Sequence, residues 1–78
     1  MLKENDKIKV HLYSTNHEEI KTRNYEKVFT VSEKDGKLGI DWAGFTPFED
    51  FASSVIFEDV ESGKKFHLNF KDEIVEIK

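Results

Sequence analysis

Seventy-eight residues with a net charge of −4 and no cysteine allow one domain with a modest core, excluding a two-domain enzyme, a disulfide framework, a thiolate metal site and a cysteine nucleophile. Apolar residues are 37% of the chain, and seven Phe, two Tyr and one Trp supply a large part of them. Rings that each bury about 150–250 Å² must therefore compensate for scarce aliphatic side chains. The acidic balance also disfavours a general polyanion binder, because counterion release needs a cationic surface.

The opening Met1-Leu2-Lys3-Glu4-Asn5-Asp6-Lys7 has neither the apolar run of a signal peptide nor an Arg-rich transit pattern. No later stretch approaches the roughly 20 apolar residues of a membrane span, so a cytoplasmic setting is expected. From Lys7 to Tyr13, Ile8, Val10 and Leu12 alternate with Lys9, His11 and Tyr13, the period of a strand with one wet face. Ser14 to Asn24 is polar around Ile20. Thr15 followed by Glu18 fits a capping box, so a short helical turn competes there with a long loop.

Tyr25 to Val31 is β-prone. Asp35-Gly36 then separates it from Lys37 to Trp42, where Leu38, Ile40 and Trp42 share a face. Asp-Gly suits a type I′ hairpin turn, whose two central residues both need positive φ. Thr46-Pro47-Phe48-Glu49 places a capping hydroxyl, a first-turn proline and a glutamate in the order of a helix start, predicting a short helix near 47–52. Ser54 to Val60 and Lys65 to Phe70 flank a turn at Glu61-Ser62-Gly63-Lys64, predicting a second hairpin. After Lys71-Asp72, Glu73 to Ile77 is expected to close the sheet with Val75 and Ile77 facing inward.

These elements predict a single mainly β domain over 1–78, a small antiparallel five- to six-stranded barrel with one short helix. The strand count and size suit an SH3-like barrel, with an oligonucleotide-binding barrel second. Closure is favoured because it removes exposed strand edges.

Leu38 through Gly63 contains no Lys or Arg but carries Asp41, Glu49, Asp50, Glu58, Asp59 and Glu61, whereas residues 1–39 are nearly balanced in charge. Like charges gathered without counter-charges cost stability through repulsion. An acidic docking surface is therefore the leading expectation, with Trp42 or Phe45 as a hydrophobic anchor. The chain then reads as a non-enzymatic binding or regulatory module, monomeric or homodimeric, that contacts a basic protein partner. A specialised form would be an inhibitor whose carboxylates imitate phosphates. Trp42, Phe45, Phe48 and Phe51 recur at every third residue, and the stronger reading of Phe48 and Phe51 is that they pin the crossover to the core.

Two alternatives come from other classes. His11, Tyr13, Lys65 and His67 would form a mixed basic and aromatic patch for single-stranded nucleic acid if their strands are neighbours. The terminal strand, Glu73 to Ile77, would pair edge to edge as an assembly contact. Catalytic motifs are not found: the three His lack metal-pair spacing, and neither a nucleophile elbow nor a phosphate loop occurs. Adjacent carboxylates such as Glu58-Asp59 point to opposite faces of a strand. No metal or cofactor is expected.

Overall fold

The computed structural model describes every residue except Arg23, which falls within the expected 14–24 loop and so lies outside the described residues. Joined by turns, nine short strands and one turn of 3₁₀ helix make up the regular structure of the described residues. They are β1 (Lys7–Tyr13), β2 (Glu19–Ile20), β3 (Val28–Thr30), β4 (Ser32–Lys34), β5 (Lys37–Asp41), β6 (Phe45–Pro47), the 3₁₀ turn (Phe48–Asp50), β7 (Ile56–Asp59), β8 (Lys65–Leu68) and β9 (Ile74–Glu76). All pairings are antiparallel. The larger sheet runs β2-β1-β7-β8-β9, with β3 also pairing β1, and the smaller runs β4-β5-β6. Among the described residues no helix is long and apolar enough to cross a membrane.

The alternation in β1 does what its pattern demands. Ile8 and Val10 are buried while Lys9 and His11 face the other way. β7 and β8 add Phe57, Phe66 and Leu68 to the same inner face, and the smaller sheet and the 3₁₀ turn add Ile40 and Phe48 from across the core. Four ring pairs run through this space: Phe29–Trp42 at 5.4 Å between centroids, Trp42–Phe51 at 5.6 Å, Phe51–Phe57 at 5.3 Å and Phe57–Phe48 at 4.8 Å. Three of the four are edge-on, the arrangement favoured by the ring quadrupole. Phe48 and Phe51 thus fix the crossover between the sheets.

The expected closed barrel is not formed. The two sheets meet at a corner where Val31 turns the chain from β3 in the larger sheet into β4 in the smaller, its amide donating to Asp6 O at 2.8 Å, and no strand of one pairs with a strand of the other among the described residues. Closure at the far side would need β6 to pair with β9. Both are three residues long, and β6 ends in Pro47, which has no amide to give a ladder.

Other boundaries shift for local reasons. Asp35 and Gly36 do adopt positive φ (54° and 81°), but the hairpin they close is β4–β5, not one built on residues 25–31. The predicted helix contracts to Phe48–Asp50. Thr46 belongs to β6, its hydroxyl donates to Gly44 O at 3.3 Å, and no side chain caps the turn. Ser14 to Glu18 forms neither helix nor long loop. It is a tight turn joining β1 to β2, with Ser14 N donating to Glu18 O and the Ser14 hydroxyl accepting from Asn16 N and Glu18 N.

At the last strand the inward residue is Ile74, packed against the core opposite Leu68, while Val75 and Ile77 lie on the outer face. A one-residue register difference exchanges the two faces, and three apolar residues in Ile74-Val75-Glu76-Ile77 satisfy either choice.

Gly39 is buried in β5, where a Cβ would collide with the Thr46 carbonyl oxygen and lie 2.9 Å from the Phe45 ring. Gly39→Ala should lower unfolding stability by about 1–3 kcal/mol through this overpacking. Gly63→Ala meets open space but sits at φ 77°, and should cost only about 1 kcal/mol of backbone strain. Urea denaturation of the two variants checks the ordering.

Candidate functional site

The mid-chain carboxylates do not converge on one patch. Asp41 lies at one end of β5, where its Oδ1 accepts from Gly44 N at 3.2 Å. Glu49 is at the other end, paired with Lys37 at 2.7 Å, and Lys37 and Asp41 are four residue steps apart along the strand, about 13 Å. That hydrogen bond, the charge of Glu49 and a smaller effect of Asp50 hold the Lys37 ammonium above its ordinary range. Glu58 is on the larger sheet with its side chain on the outer face, opposite in sense to Asp59. Asp59 is occupied in its turn, accepting from Glu61 N at 3.1 Å and the Ser62 hydroxyl at 3.0 Å, and Glu61 is exposed beyond it. Trp42 is half-buried between Phe29 and Phe51, and Phe45 is half-buried against Gly39.

His11, Tyr13, Lys65 and His67 do share a surface. β1 and β8 flank β7, two strand spacings or about 10 Å apart, and all four side chains point away from the core. The pairings order two rows across this outer face. Lys9, Glu58, Lys65 and Ile77 form one, and His11, Ile56, His67 and Val75 form the next. The face is not simply basic, because Glu58 lies between Lys9 and Lys65.

His11 is the pivot of the face. Its Nε2 lies 2.8 Å from Glu58 Oε1 and its Nδ1 3.4 Å from Glu19 Oε1, with the His11 side chain only 15% exposed. Charged imidazole donates from both nitrogens, whereas the neutral ring can donate to one carboxylate only. The longer contact is not a hydrogen bond: His11 Nδ1 and Glu19 Oε2 are buried without hydrogen-bond partners among the described residues. This bracket ties β2 to β7 through β1. Glu19 gave no signal in the sequence, where it reads as one acid in a polar loop; it is placed by the Leu12↔Ile20 pairing.

Beside the bracket, a groove of about 590 Å³ runs between the β1–β2 turn and the far strands, with Tyr13, Ile56 and Ile77 as its apolar part and Thr15, His17, Ser54 and Lys65 around it. Ile77 is 40% exposed, and no carboxylate lines the groove. Among the described residues no group of three or more His, Asp or Glu has the geometry to hold a metal ion. Comparison with protein-family models, with characterised proteins and with solved structures finds no significant match to this chain.

Burial first, then the charges of Glu19 and Glu58 with a contribution from Tyr25, push the Tyr13 phenol above its ordinary 10.0. The folded chain therefore keeps a proton that the unfolded chain loses near pH 10. The stability tied to it is intact below that pH and is lost as pH rises through the folded value. Glu58→Gln should bring the Tyr13 titration back toward 10, and Tyr13→Phe should flatten the loss of stability above pH 10. Ultraviolet difference titration in a Tyr25→Phe background isolates the first effect, and denaturation against pH the second.

Proposed function

We propose that the protein is a non-catalytic binding module that docks an extended segment of another protein on the outer face of its larger sheet. The observation that carries this reading is the groove beside β1. An antiparallel sheet normally covers one face with core and leaves the other polar, but here Tyr13, Ile56, Val75 and Ile77 sit on the uncovered side. Tyr13, Ile56 and Ile77 meet in the groove with polar groups around them, and an apolar patch rimmed by polar groups is a usual mark of an interaction surface.

The lining also indicates the partner's chemistry. Lys65, His17 and the hydroxyls of Thr15 and Ser54 present donors, with no carboxylate among them. A segment carrying a carboxylate beside an aliphatic side chain would find both its parts matched, the charge fixing register and the apolar contact supplying affinity. On this reading the docking surface is separate from Asp41, Glu49, Asp50, Asp59 and Glu61, which lie on other strands and turns.

A second reading, single-stranded nucleic acid on the same surface, draws on Tyr13, Lys65, His67 and His11. Glu58 and Glu19 stand in the middle of that set, which weighs against a phosphate track. Edge pairing has a narrower basis, since β9 offers only Ile74–Glu76 as an edge and Glu76 is charged.

Titration of isotope-labelled protein with capped peptides alternating aliphatic and acidic residues should produce saturable shifts at Tyr13, Ile56, Lys65 and Ile77. Lys65→Glu should weaken binding about tenfold, as expected for a charge reversal beside a bound carboxylate. Absence of shifts on this face would remove the proposal. Tighter, salt-sensitive binding of an oligothymidine instead would establish the nucleic-acid reading.

A further inference from the structure

The gap that keeps the two sheets from closing into a barrel is itself a cleft. It measures about 350 Å³ and lies between β5–β6 on one side and the start of β9 on the other. Leu38 and Pro47 form one wall and Ile74 the other, while Leu2 and Phe48, 4% and 3% exposed, form the floor. The opening therefore leads straight onto the core. Its volume falls within the range of small-molecule sites, which recur at the mouths of β-barrels and combine an apolar lining with a few placed polar groups.

Carboxylates outnumber ammonium groups at this mouth: Glu49, Asp72 and Glu73 line it, against Lys37 and the amino group of Met1. Lys37 is already committed to Glu49 at 2.7 Å. Asp72 and Glu73 make no ion pair among the described residues; Glu73 only accepts a hydrogen bond from the Asn69 amide at 3.2 Å. Both are positioned by the β8–β9 turn, where Asp72 holds φ at 59°. An apolar recess thus ends at two exposed carboxylates that make no ion pair among the described residues, with one more carboxylate than ammonium around the rim.

We infer that this cleft is a binding site for a small amphipathic organic cation, an apolar body of aryl or alkyl type carrying one ammonium or guanidinium group. The body enters between Leu38 and Ile74 above Phe48, and the charged end meets Asp72 and Glu73 at the rim. Entry covers half-exposed aliphatic surface that the unclosed sheets cannot cover themselves, and the cation offsets the local excess of negative charge. The site lies on the core side of β9, whereas Val75 and Ile77 of the peptide-docking surface lie on its outer side, so the two sites are occupied independently.

A matched pair of probes tests this inference. 4-Phenylbutylamine titrated into isotope-labelled protein at low ionic strength should give saturable shifts at Leu2, Leu38, Phe48 and Ile74, whereas 4-phenylbutyrate should give none. Asp72→Asn combined with Glu73→Gln keeps the turn and the Asn69 contact and should weaken the amine about three- to tenfold, the sum of two exposed charge contacts. Leu38→Trp should abolish binding by filling the recess. Ile74→Trp fills it from the opposite wall and serves if the first variant does not fold. Equal binding of amine and carboxylate, shifts mapping away from the cleft, absence of binding, or an affinity unchanged in the Asn/Gln variant would each overturn the inference.

Discussion

The fold depends on a relay of aromatic rings. Phe29, Trp42, Phe51, Phe57 and Phe48 are in contact in that order, and they come from β3, the end of β5, the crossover, β7 and the 3₁₀ turn. With only 78 residues, the chain has a small core, and four of its eleven buried hydrophobic residues are Phe. Edge-to-face rings add a directional component to that core, and they set how the smaller sheet sits on the larger one.

The parts of the fold that were legible in the sequence are those governed by short-range rules. β1 follows from alternation, the turn at Asp35-Gly36 from its need for positive φ, and the β7–β8 hairpin from the clean period of Phe66, His67 and Leu68. The parts that were not legible depend on contacts distant in sequence. Tyr25 to Val31 read as one β-prone stretch, yet only Val28–Thr30 is a strand there, and Val31 turns the chain into the other sheet with its amide and carbonyl both taken by the segment before β1. The helix signature at Thr46-Pro47 yielded because Pro47 lies opposite Gly39 in the smaller sheet, which leaves only one turn for Phe48–Asp50. In β9, local pattern was neutral between two registers, and the packing of Ile74 on the core decided between them.

The candidate site was legible in a similarly partial way. The residue types of His11, Tyr13, Lys65 and His67 suggested a shared face, and the strand order places them on one. Which groups stand between them was hidden. Glu58 separates Lys9 from Lys65, and Glu19 reaches His11 only because a two-residue strand folds back on β1. The carboxylates from Asp41 to Glu61 showed the opposite behaviour: their run in sequence was conspicuous, but strand alternation and the crossover distribute them over both sheets. Charge clustered along a β chain does not translate into charge clustered in space, because successive side chains leave a strand on opposite sides.

The central place of β1 has a consequence for how the protein reaches this state. Its neighbours in the larger sheet are β3, some 20 positions onward, and β7, which pairs Val10 with Phe57 and His11 with Ile56. As the polypeptide leaves the ribosome, β1 therefore emerges before both of these partners and must wait until β7 has followed before its second flank is covered. Closing so large a loop carries an entropic cost that slows acquisition of structure. The β2 fold-back and β3 can shelter one flank of this strand during that interval, limiting the time its alternating apolar side is available to other nascent chains.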